Sequence, residues 1–306
     1  MQIFRHFEHL PETVRGATIA IGNFDGVHRG HQALIAHAKS LGGKLAVLVF
    51  EPHPQEFFRP DSPRFRLTPF RAKARLLEQH GVDVLFALHF EASFAALSAD
   101  DFIAKVLAAG LGARQVIVGE DFQFGKGRTG NLELLRRRGN ELGIQVTTFD
   151  LVGEGATSKI SSTRIREVLR EGKPEIAAAL LGHPWTVEGR VETGDKRGRT
   201  IGFPTANVSL EGYLEPALGA YAVRVEISGK RYNGVANFGR RPTFDKKDVL
   251  LEVHVFDFVG DIYGQQIVVS FMAYLRPEMK FSGVADLKAQ IARDCDRAAQ
   301  ILAQSR

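Results

Sequence analysis

The feature that most constrains the fold of this chain is an abrupt change in sequence pattern at Gly182-His183-Pro184. Before this point, short apolar runs alternate with helical patterns, and several of the helical patterns stop at a glycine. Apolar strands separated by helices predict a parallel sheet that is covered on both faces. The predicted strands are 18–21, 45–50, 82–88, 115–118 and 145–149, and the predicted helices are 32–40, 71–79, 99–108, 132–142, 162–170 and 174–181.

After this point the predicted strands follow one another without helices between them, at 186–191, 220–227, 232–237, 250–258 and 266–274. Ser228-Gly229-Lys230 has the composition of a hairpin turn, and a long helical pattern over 284–303 closes the chain. This pattern predicts an antiparallel sheet or small β-barrel with a terminal helix. A length of 306 residues suits two domains, which we predict at 1–183 and 184–306.

Charge and cysteine content exclude several classes of protein. The 40 Lys and Arg residues exceed the 35 Asp and Glu residues only slightly and without a basic block, whereas nucleic-acid-binding proteins usually concentrate their charge. Cys295 is the single cysteine, so no intramolecular disulfide can form, and its acidic neighbours raise its thiol pKa and favour a structural role. Without an apolar run of signal-peptide or membrane-span length, we expect a cytoplasmic protein with no membrane partner.

The most informative segment is Gly22-Asn23-Phe24-Asp25-Gly26-Val27-His28-Arg29-Gly30-His31, between the first predicted strand and the first helix. Ligands of open α/β sheets bind at such strand ends, where helix N-termini offer unpaired N–H groups to phosphates. His28 and His31 lie on one face of a helical turn and could donate hydrogen bonds to a triphosphate. Two surface histidines in a glycine-rich turn, or part of a zinc site that needs further ligands, are the alternatives.

Three later segments accompany this one: Phe50-Glu51-Pro52-His53-Pro54, Val118-Gly119-Glu120-Asp121-Phe122-Gln123-Phe124-Gly125 and Lys159-Ile160-Ser161-Ser162-Thr163-Arg164-Ile165-Arg166. Together the four segments resemble the adenylyltransferase module of the bacterial bifunctional riboflavin kinase/FAD synthetase family, which has a Rossmann-like nucleotidyltransferase fold. The resemblance implies transfer of AMP from ATP to FMN. It also implies that His28 and His31 are catalytic, that ATP is bound by Gly22, Phe24, Asp25, Gly30, Lys159, Ser162, Thr163 and Arg166, and that the flavin is bound by His53 and Asp121.

A competing motif lies at Gly125-Lys126-Gly127-Arg128-Thr129-Gly130, which fits the dinucleotide-binding pattern G-x-G-x-x-G. Asp150 lies 20 residues beyond the last of these glycines, where a dehydrogenase has an acidic residue. The fit fails at the start, because the five residues Glu120–Phe124 separate Gly119, which directly follows the predicted strand, from the first glycine of the motif. We therefore favour the nucleotidyltransferase over the dehydrogenase.

The second half has its own glycine-rich and basic segment, Gly194-Asp195-Lys196-Arg197-Gly198-Arg199-Thr200-Ile201-Gly202-Phe203-Pro204-Thr205-Ala206-Asn207. Thr205 and Asn207 supply the hard oxygen ligands that Mg²⁺ accepts beside phosphate. In Leu251-Glu252-Val253-His254-Val255-Phe256, strand alternation places Glu252 and His254 on one face, where Glu252 is either solvated or available as a general base. Taken alone, the glycine-rich and basic loop Gly194–Asn207 is also explained by a solvated hairpin.

These segments, with Gly234–Thr243, Asp261–Gly264 and Leu275–Phe281, resemble the riboflavin kinase domain of the same family. The resemblance implies that Glu252 deprotonates the terminal hydroxyl of riboflavin and that Thr205 and Asn207 bind Mg²⁺ with ATP. It further implies nucleotide binding by Gly198 and Arg199, and flavin binding by Arg240, Arg276 and Glu278. The substrates implied are riboflavin, FMN and ATP, with no nucleic acid.

Two other functions stay open at this point. The N-terminal motif alone permits a nucleotidyltransferase for another phosphate, such as a nicotinamide or pantetheine nucleotide, although the kinase-like second half supplies FMN. A non-catalytic RNA- or flavin-binding protein is the alternative from another class. The polar side chains at 28, 31, 205, 207 and 252 favour an enzyme over a binding protein.

Overall fold

A computed structural model describes residues 1–149, 160–192, 201–210, 212–240 and 249–304, apart from the side chain of Arg240. The chain divides into two compact units, Met1–Pro63 with Phe70–Ile160, and Arg64–Pro69 with Ser161–Arg306. The helices predicted over 162–170 and 174–181 therefore pack with the second unit. The division into functional domains at residue 183 stays a prediction.

The first unit is a parallel sheet with helices, as predicted, and it has six strands where five were predicted. Its strands have the order β1-β4-β3-β2-β5-β6, and every pair is parallel. They are β1 (Gln2–Phe4), β2 (Thr18–Ile21), β3 (Leu45–Glu51), β4 (Val84–His89), β5 (Gln115–Gly119) and β6 (Gln145–Phe149). The helices are α1 (Arg29–Ser40), α2 (Pro54–Phe58), α3 (Phe70–Gln79), α4 (Ala92–Ala95), α5 (Ala99–Asp101, continued as a π-helix over Phe102–Gly110) and α6 (Leu132–Glu141).

Helices cover both faces of this sheet, which is why its inner strands are apolar at nearly every position. On β2, Ile19 and Ile21 pack with the π-helix on one face, whereas Ala20 packs with α1 and α3 on the other. The strand order reverses between β2 and β5, the two strands on either side of the topological switch point. Open α/β sheets bind ligands in the crevice at the carboxyl ends of such strands. The fold thus places the β2–α1 segment and the residues after β5 at the predicted ligand site.

The second unit contains a closed antiparallel barrel of six strands in the order β10-β11-β8-β7-β12-β9. This confirms the predicted barrel with a terminal helix. The elements are α7 (Ser162–Arg170), α8 (Pro174–Leu181), β7 (Trp185–Glu192), β8 (Ala206–Val208), β9 (Gly219–Ile227), β10 (Lys230–Arg240), β11 (Val249–Val255), β12 (Gln266–Pro277) and α9 (Val284–Gln304). The predicted turn between β9 and β10 is present, with positive φ at both Ser228 and Gly229, as a tight hairpin turn requires.

Apolar side chains fill the barrel and also join α9 to its outer surface. Trp185 is 1% exposed, and its indole N–H donates to the carbonyl of Leu67 at 3.0 Å, which ties the segment Arg64–Pro69 into the second unit. On the outside, Ala298 and Leu302 of α9 pack with Ala222, Val235 and Ala273. The remaining outer surface of β7, β8, β10 and β11 carries the polar residues discussed below. None of the helices in the described ranges is long and apolar enough to cross a bilayer.

Candidate active sites

The segment between β2 and α1 holds an unusual backbone conformation. Phe24 and Val27 have positive φ angles of 49° and 41°, and Gly26 between them has 82°. A non-glycine residue in this region costs on the order of 1–3 kcal/mol, and a β-branched residue such as Val27 is a clear outlier. Both side chains are buried, at 1% and 0% exposure, so packing holds the strained backbone in place. A Cβ at Gly22 would lie 3.3 Å from the Phe24 ring, which makes this position tight as well.

His28 closes this segment and begins α1. It is 2% exposed, and its Nδ1 accepts a hydrogen bond from the backbone N–H of His31 at 3.3 Å, so it is the N-cap of the helix. An Nδ1 that accepts a hydrogen bond carries no proton, so neutral His28 has its proton on Nε2. The cap thereby fixes both the ring orientation and the tautomer.

His31 stacks directly on His28, with ring centroids 3.6 Å apart and planes inclined by 16°. The Phe24 ring lies against it with a centroid distance of 4.8 Å. Burial lowers the pKa of His31 well below its usual value, and the neighbouring His28 and Lys73 lower it further. His31 is therefore neutral at pH 7. Its buried Nδ1 has no hydrogen-bond partner among the described residues, which leaves the ring with unused hydrogen-bonding capacity.

The other predicted residues of the first unit lie at the same edge of the sheet. Asp25 is buried in the β2–α1 segment at 2% exposure, and Gly30 is buried in the first turn of α1. His53 follows β3 and caps α2, where its Nδ1 accepts the N–H of Gln55 at 3.1 Å. Asp121 follows β5 and is exposed, and its Oδ1 would lie 3.3 Å from a Cβ at Gly119. The predicted nucleotide and flavin residues thus come from the ends of β2, β3 and β5.

A cluster of phenylalanine rings, which no sequence pattern predicted, lies at this edge of the sheet. It follows the ends of β3, β4 and β5 and includes Phe50, Phe57, Phe58, Phe90, Phe94, Phe102, Phe122 and Phe124. Phe57 and Phe58 lie 5.3 and 5.8 Å from Phe90, between ring centroids. Phe58 remains 64% exposed, an unusual state for a phenylalanine. The 22 phenylalanines among 306 residues are the sequence signal that could have revealed it.

The dinucleotide-binding alternative fails on geometry. Phe124 and Gly130 exchange backbone hydrogen bonds of 3.2 and 2.8 Å, so the glycines between them close a small loop. The next helix, α6, starts after its own cap at Asn131, whereas a dinucleotide fingerprint leads directly from strand to helix. Asp150 lies outside the described residues. Among the described residues, no group of three or more His, Cys, Asp or Glu side chains could hold a metal ion.

The predicted phosphate-binding residues near α7 belong to the second unit. Ser162 and Thr163 form the first turn of α7, and Ser161 caps it by accepting the N–H of Arg164 at 3.3 Å. The guanidinium of Arg166 donates to the carbonyl of Phe65 at 2.8 Å and lies over the ring of the same residue. Lys159 lies outside the described residues. The assignment of these residues to the adenylyltransferase site stays a prediction.

A row of polar residues crosses the outer surface of the barrel. Glu252 on β11 lies directly opposite Asn207 on β8 and Asn237 on β10. Asn207 in turn lies opposite Glu192 on β7. Residues directly opposite one another in an antiparallel ladder share a face, and the neighbours of Glu252, Leu251 and Val253, point into the barrel core. Glu192 and Asn237 were not predicted, because strand register is not visible in the sequence.

Asn207 and Thr205 have the surroundings expected for a cation site. Asn207 is 6% exposed, yet its Oδ1 has no hydrogen-bond partner among the described residues. A buried amide oxygen without a partner is costly unless a ligand satisfies it. Beside it, Nδ1 of His254 hydrogen-bonds the carbonyl of Pro204 at 2.8 Å, which fixes the segment that leads into Thr205. The residues present therefore fit a Mg²⁺ ion, which prefers hard oxygen ligands.

A groove next to Glu192 has a volume of about 510 Å³ and is lined by Arg190, Val191, Glu192, Tyr263 and Gly264. Tyr263 and Gly264 come from the Asp261–Gly264 segment singled out in the sequence. A groove of this size is within the range of small-molecule sites. The predicted nucleotide residues Gly198 and Arg199, and the side chain of Arg240, lie outside the described residues.

The two remaining predicted flavin residues lie near the end of β12. The guanidinium of Arg276 makes three hydrogen bonds of 2.7 to 3.1 Å to the buried carboxylate of Asp294 on α9. Glu278 is exposed, and its carboxylate lies where a Cβ at Gly239 would collide with it. Arg276 thus fastens α9 to the barrel, and its predicted flavin contact stays a prediction.

Cys295 follows Asp294, and burial together with the two flanking aspartates raises its thiol pKa to about 11, as expected for a structural cysteine.

Comparison with known proteins matches both halves of the chain to families. The FAD synthetase family matches residues 10–164, and the riboflavin kinase family matches residues 181–302. A curated relative in Escherichia coli (strain K12), named bifunctional riboflavin kinase/FMN adenylyltransferase, is 43% identical over 300 residues, with 96% of each chain covered. Relatives of the same name in Haemophilus influenzae and Listeria monocytogenes are 42% and 41% identical and cover 97% and 90% of this chain.

Nearly the whole chain is also similar to a solved structure. A protein of Streptococcus pneumoniae, named a macrolide-efflux protein, is 33% identical to this chain and superimposes with a TM-score of 0.84. The match covers 95% of this chain and 96% of that protein. The efflux activity in that name belongs to that protein, and the similarity extends the shared fold to both units.

Proposed function

This chain belongs to the family of bifunctional riboflavin kinase/FMN adenylyltransferases, and we propose that its two reactions use the two polar sites of its two units. The enzyme phosphorylates riboflavin to FMN with ATP, then joins FMN to the AMP part of ATP and releases pyrophosphate. The first reaction is assigned to the barrel and the second to the parallel sheet. The substrates are riboflavin, FMN and ATP, and the cytoplasm stays the expected compartment.

In the kinase reaction we assign Glu252 the role of general base. The oxygen of the terminal hydroxyl of riboflavin attacks the γ-phosphorus of ATP, Glu252 takes the hydroxyl proton, and ADP leaves with the bridging oxygen. The observation that carries this assignment is the register that places Glu252 between Asn207 and Asn237 on the outer barrel surface. Asn237 is suited to orient the carboxylate or the hydroxyl by a hydrogen bond.

Thr205 and Asn207 would hold Mg²⁺ in this reaction, where the ion neutralises charge on the phosphates when bound. The unsatisfied Oδ1 of Asn207 supports this role. The hydrogen bond from His254 to Pro204 keeps the ligand segment next to β11. The groove lined by Arg190 and Tyr263 lies beside Glu192 in the same row and offers room for the nucleoside of ATP.

We expect Asn207→Leu to raise the Mg²⁺ concentration that gives half-maximal FMN formation by about tenfold or more, because the ion loses one of its oxygen ligands. A tenfold change corresponds to about 1.4 kcal/mol of binding free energy. Leucine has the same branching and the same number of side-chain heavy atoms as asparagine, so the fold should survive. The measurement is initial FMN formation against Mg²⁺ concentration, with FAD formation from added FMN as an internal reference. Asn233→Leu, at an exposed position of β10, is the control. An unchanged Mg²⁺ dependence in Asn207→Leu would exclude Asn207 as a ligand.

In the adenylyl transfer we assign His28 and His31 to stabilising charge. An oxygen of the FMN phosphate attacks the α-phosphorus of ATP, and the bond to the bridging oxygen breaks as pyrophosphate leaves. The attacking oxygen is already anionic, so no general base is required. The stacked imidazoles, of which His31 is neutral, can donate hydrogen bonds to the charge that builds up on the leaving group. The strained segment that carries them keeps them in place before ATP arrives.

The phenylalanine cluster suggests how the flavin is held. The isoalloxazine ring is flat and apolar over much of its surface, and aromatic side chains stack well on such rings. Phe58 is exposed while its neighbours Phe57 and Phe90 pack against it, so it offers a ready face for a planar ligand. We therefore add Phe58 to the predicted flavin residues His53 and Asp121.

A further inference from the structure

Lys73 on α3 is a buried lysine to which neither proposed reaction assigns a role. It is 1% exposed, and its ammonium group contacts the carboxylate of Glu51 at the end of β3, with 3.2 Å between Nζ and Oε1. Lysine is almost never fully buried unless it is paired. Among the described residues, this carboxylate is the one hydrogen-bonding partner of the ammonium group, which has three N–H donors.

The fold brings Lys73 and His31 to the same face of the sheet and the same edge. On α1, His31 continues the buried stripe of Leu34, Ile35 and Ala38. On α3, Lys73 continues the buried stripe of Leu76 and Leu77, which packs in the same cluster. α1 follows β2, and α3 precedes β4. A helix that connects parallel strands begins at the carboxyl edge of the sheet, so the first turns of both helices lie at that edge.

Glu51 lies on this face as well. Val47 and Val49 of β3 pack in the cluster shared by α1 and α3, and strand alternation places Glu51 on the same side as these two valines. Among the described residues, the titratable groups that act on His31 are His28 in the preceding turn and Lys73 from α3, and Lys73 is paired with Glu51 of β3. Asp25 is buried in the β2–α1 segment that leads into the same helix.

The position of Lys73 is unfavourable for stability. It is the fourth residue of α3, where the positive end of the helix dipole disfavours a cation. A buried ion pair also loses the hydration of both ions, and replacing such a pair with apolar residues is often neutral or stabilising. A leucine or methionine at this position would complete the apolar stripe. A costly cation at this point therefore calls for a functional explanation.

We propose that Lys73, anchored by Glu51, is a positioning residue for adenylyl transfer that acts on His31 without touching the substrate. The positive charge of Lys73 disfavours protonation of the His31 imidazole and makes its N–H a stronger hydrogen-bond donor. When ATP binds, His31 is then a neutral, polarised hydrogen-bond donor. Glu51 holds the ammonium group back, so that the lysine does not bind the phosphates itself. This inference rests on the role proposed for His31.

The test is Lys73→Met in the full-length chain, a change that keeps the length and apolar stem of the side chain. We expect kcat for FAD formation to fall about tenfold, with KM for ATP and FMN changed less than threefold, and with FMN formation unchanged. We also expect the pKa of His31, measured by NMR on ¹⁵N-histidine-labelled protein, to rise. Activity that needs neutral His31 is lost as the pH falls through this pKa, so the acid limb of the FAD-formation profile should move to higher pH.

Two further variants separate this role from simple bracing of the fold. The double variant Lys73→Met with Glu51→Gln removes both charges and leaves no unpaired charge in the interior. If the ion pair only stabilised the fold, FAD formation in the double variant should be at the wild-type level. Our proposal predicts that kcat stays low and the His31 pKa stays high, whereas Lys73→Arg restores both toward wild type. Recovery in the double variant, or an unmoved His31 pKa in Lys73→Met, overturns the proposal. Absence of FAD formation in the wild-type chain would instead overturn the proposed function.

Discussion

Replacing His31 with alanine is expected to lower FAD formation by about 100-fold or more and to leave FMN formation at the wild-type rate. A single donor that stabilises developing charge in the transition state contributes about this much. His31 meets the requirement, because it is stacked on His28 at 3.6 Å and has a buried ring nitrogen without a partner among the described residues. Its effect should fall on kcat more than on the KM for ATP, since the charge develops after binding.

The matched control for this variant is His37→Ala, which makes the same substitution in the last turn of the same helix. His37 packs its ring against Phe149 at 5.4 Å and lies far along α1 from the N-terminal turn. It should keep normal FAD formation. Both activities are assayed separately, with riboflavin or FMN as the flavin substrate. FAD synthesis that continues at the normal rate in His31→Ala would remove His31 from the mechanism.

Glu252→Gln is expected to lower FMN formation by a factor of about 100 to 10,000, the range typical for loss of a general base. FAD formation from added FMN should persist. Glutamine preserves the shape of the side chain and its place opposite Asn207 and Asn237, so the loss would report the missing base rather than altered packing. The rate should be measured over a range of pH, because hydroxide can partly replace an absent base.

Glu226→Gln provides the control on the same barrel. Glu226 lies on β9 on the outer surface, and its nearest ion pair is a loose contact of 4.0 Å with Arg231. This variant should retain both activities. If Glu252→Gln lost FAD formation together with FMN formation, the result would indicate misfolding or coupling of the units, and Glu252 would need another role.

The sequence was sufficient to predict the fold because both halves carry strong local signals. The buried strand Thr18–Ile21 and the helix Pro174–Leu181, with proline at its start and glycine after its end, have the predicted bounds. Alternation along β11 correctly placed Glu252 opposite to the core-facing Leu251 and Val253. The short strand β1 and the short helices α2 and α4 were not predicted, because three to five residues give too little periodicity.

What could not be predicted depends on contacts between distant parts of the chain. Register alone brings Asn237 and Glu192 into the row with Glu252, and no local pattern encodes register. The pairing of Lys73 with Glu51 spans 22 residues, and the lysine interrupts an otherwise apolar stripe, which local reasoning interprets as an exposed position. The strain at Phe24 and Val27 likewise becomes visible only in the folded backbone.

The most direct test of the account is a time course of the purified protein with riboflavin, ATP and Mg²⁺, with the flavins separated by chromatography. We expect FMN to appear first and then to be converted to FAD, with one pyrophosphate released for each FAD formed. FMN alone would contradict the assignment of the parallel-sheet unit and reopen its substrate. A folded protein that forms neither product would contradict the central claim that this chain is a bifunctional flavin enzyme.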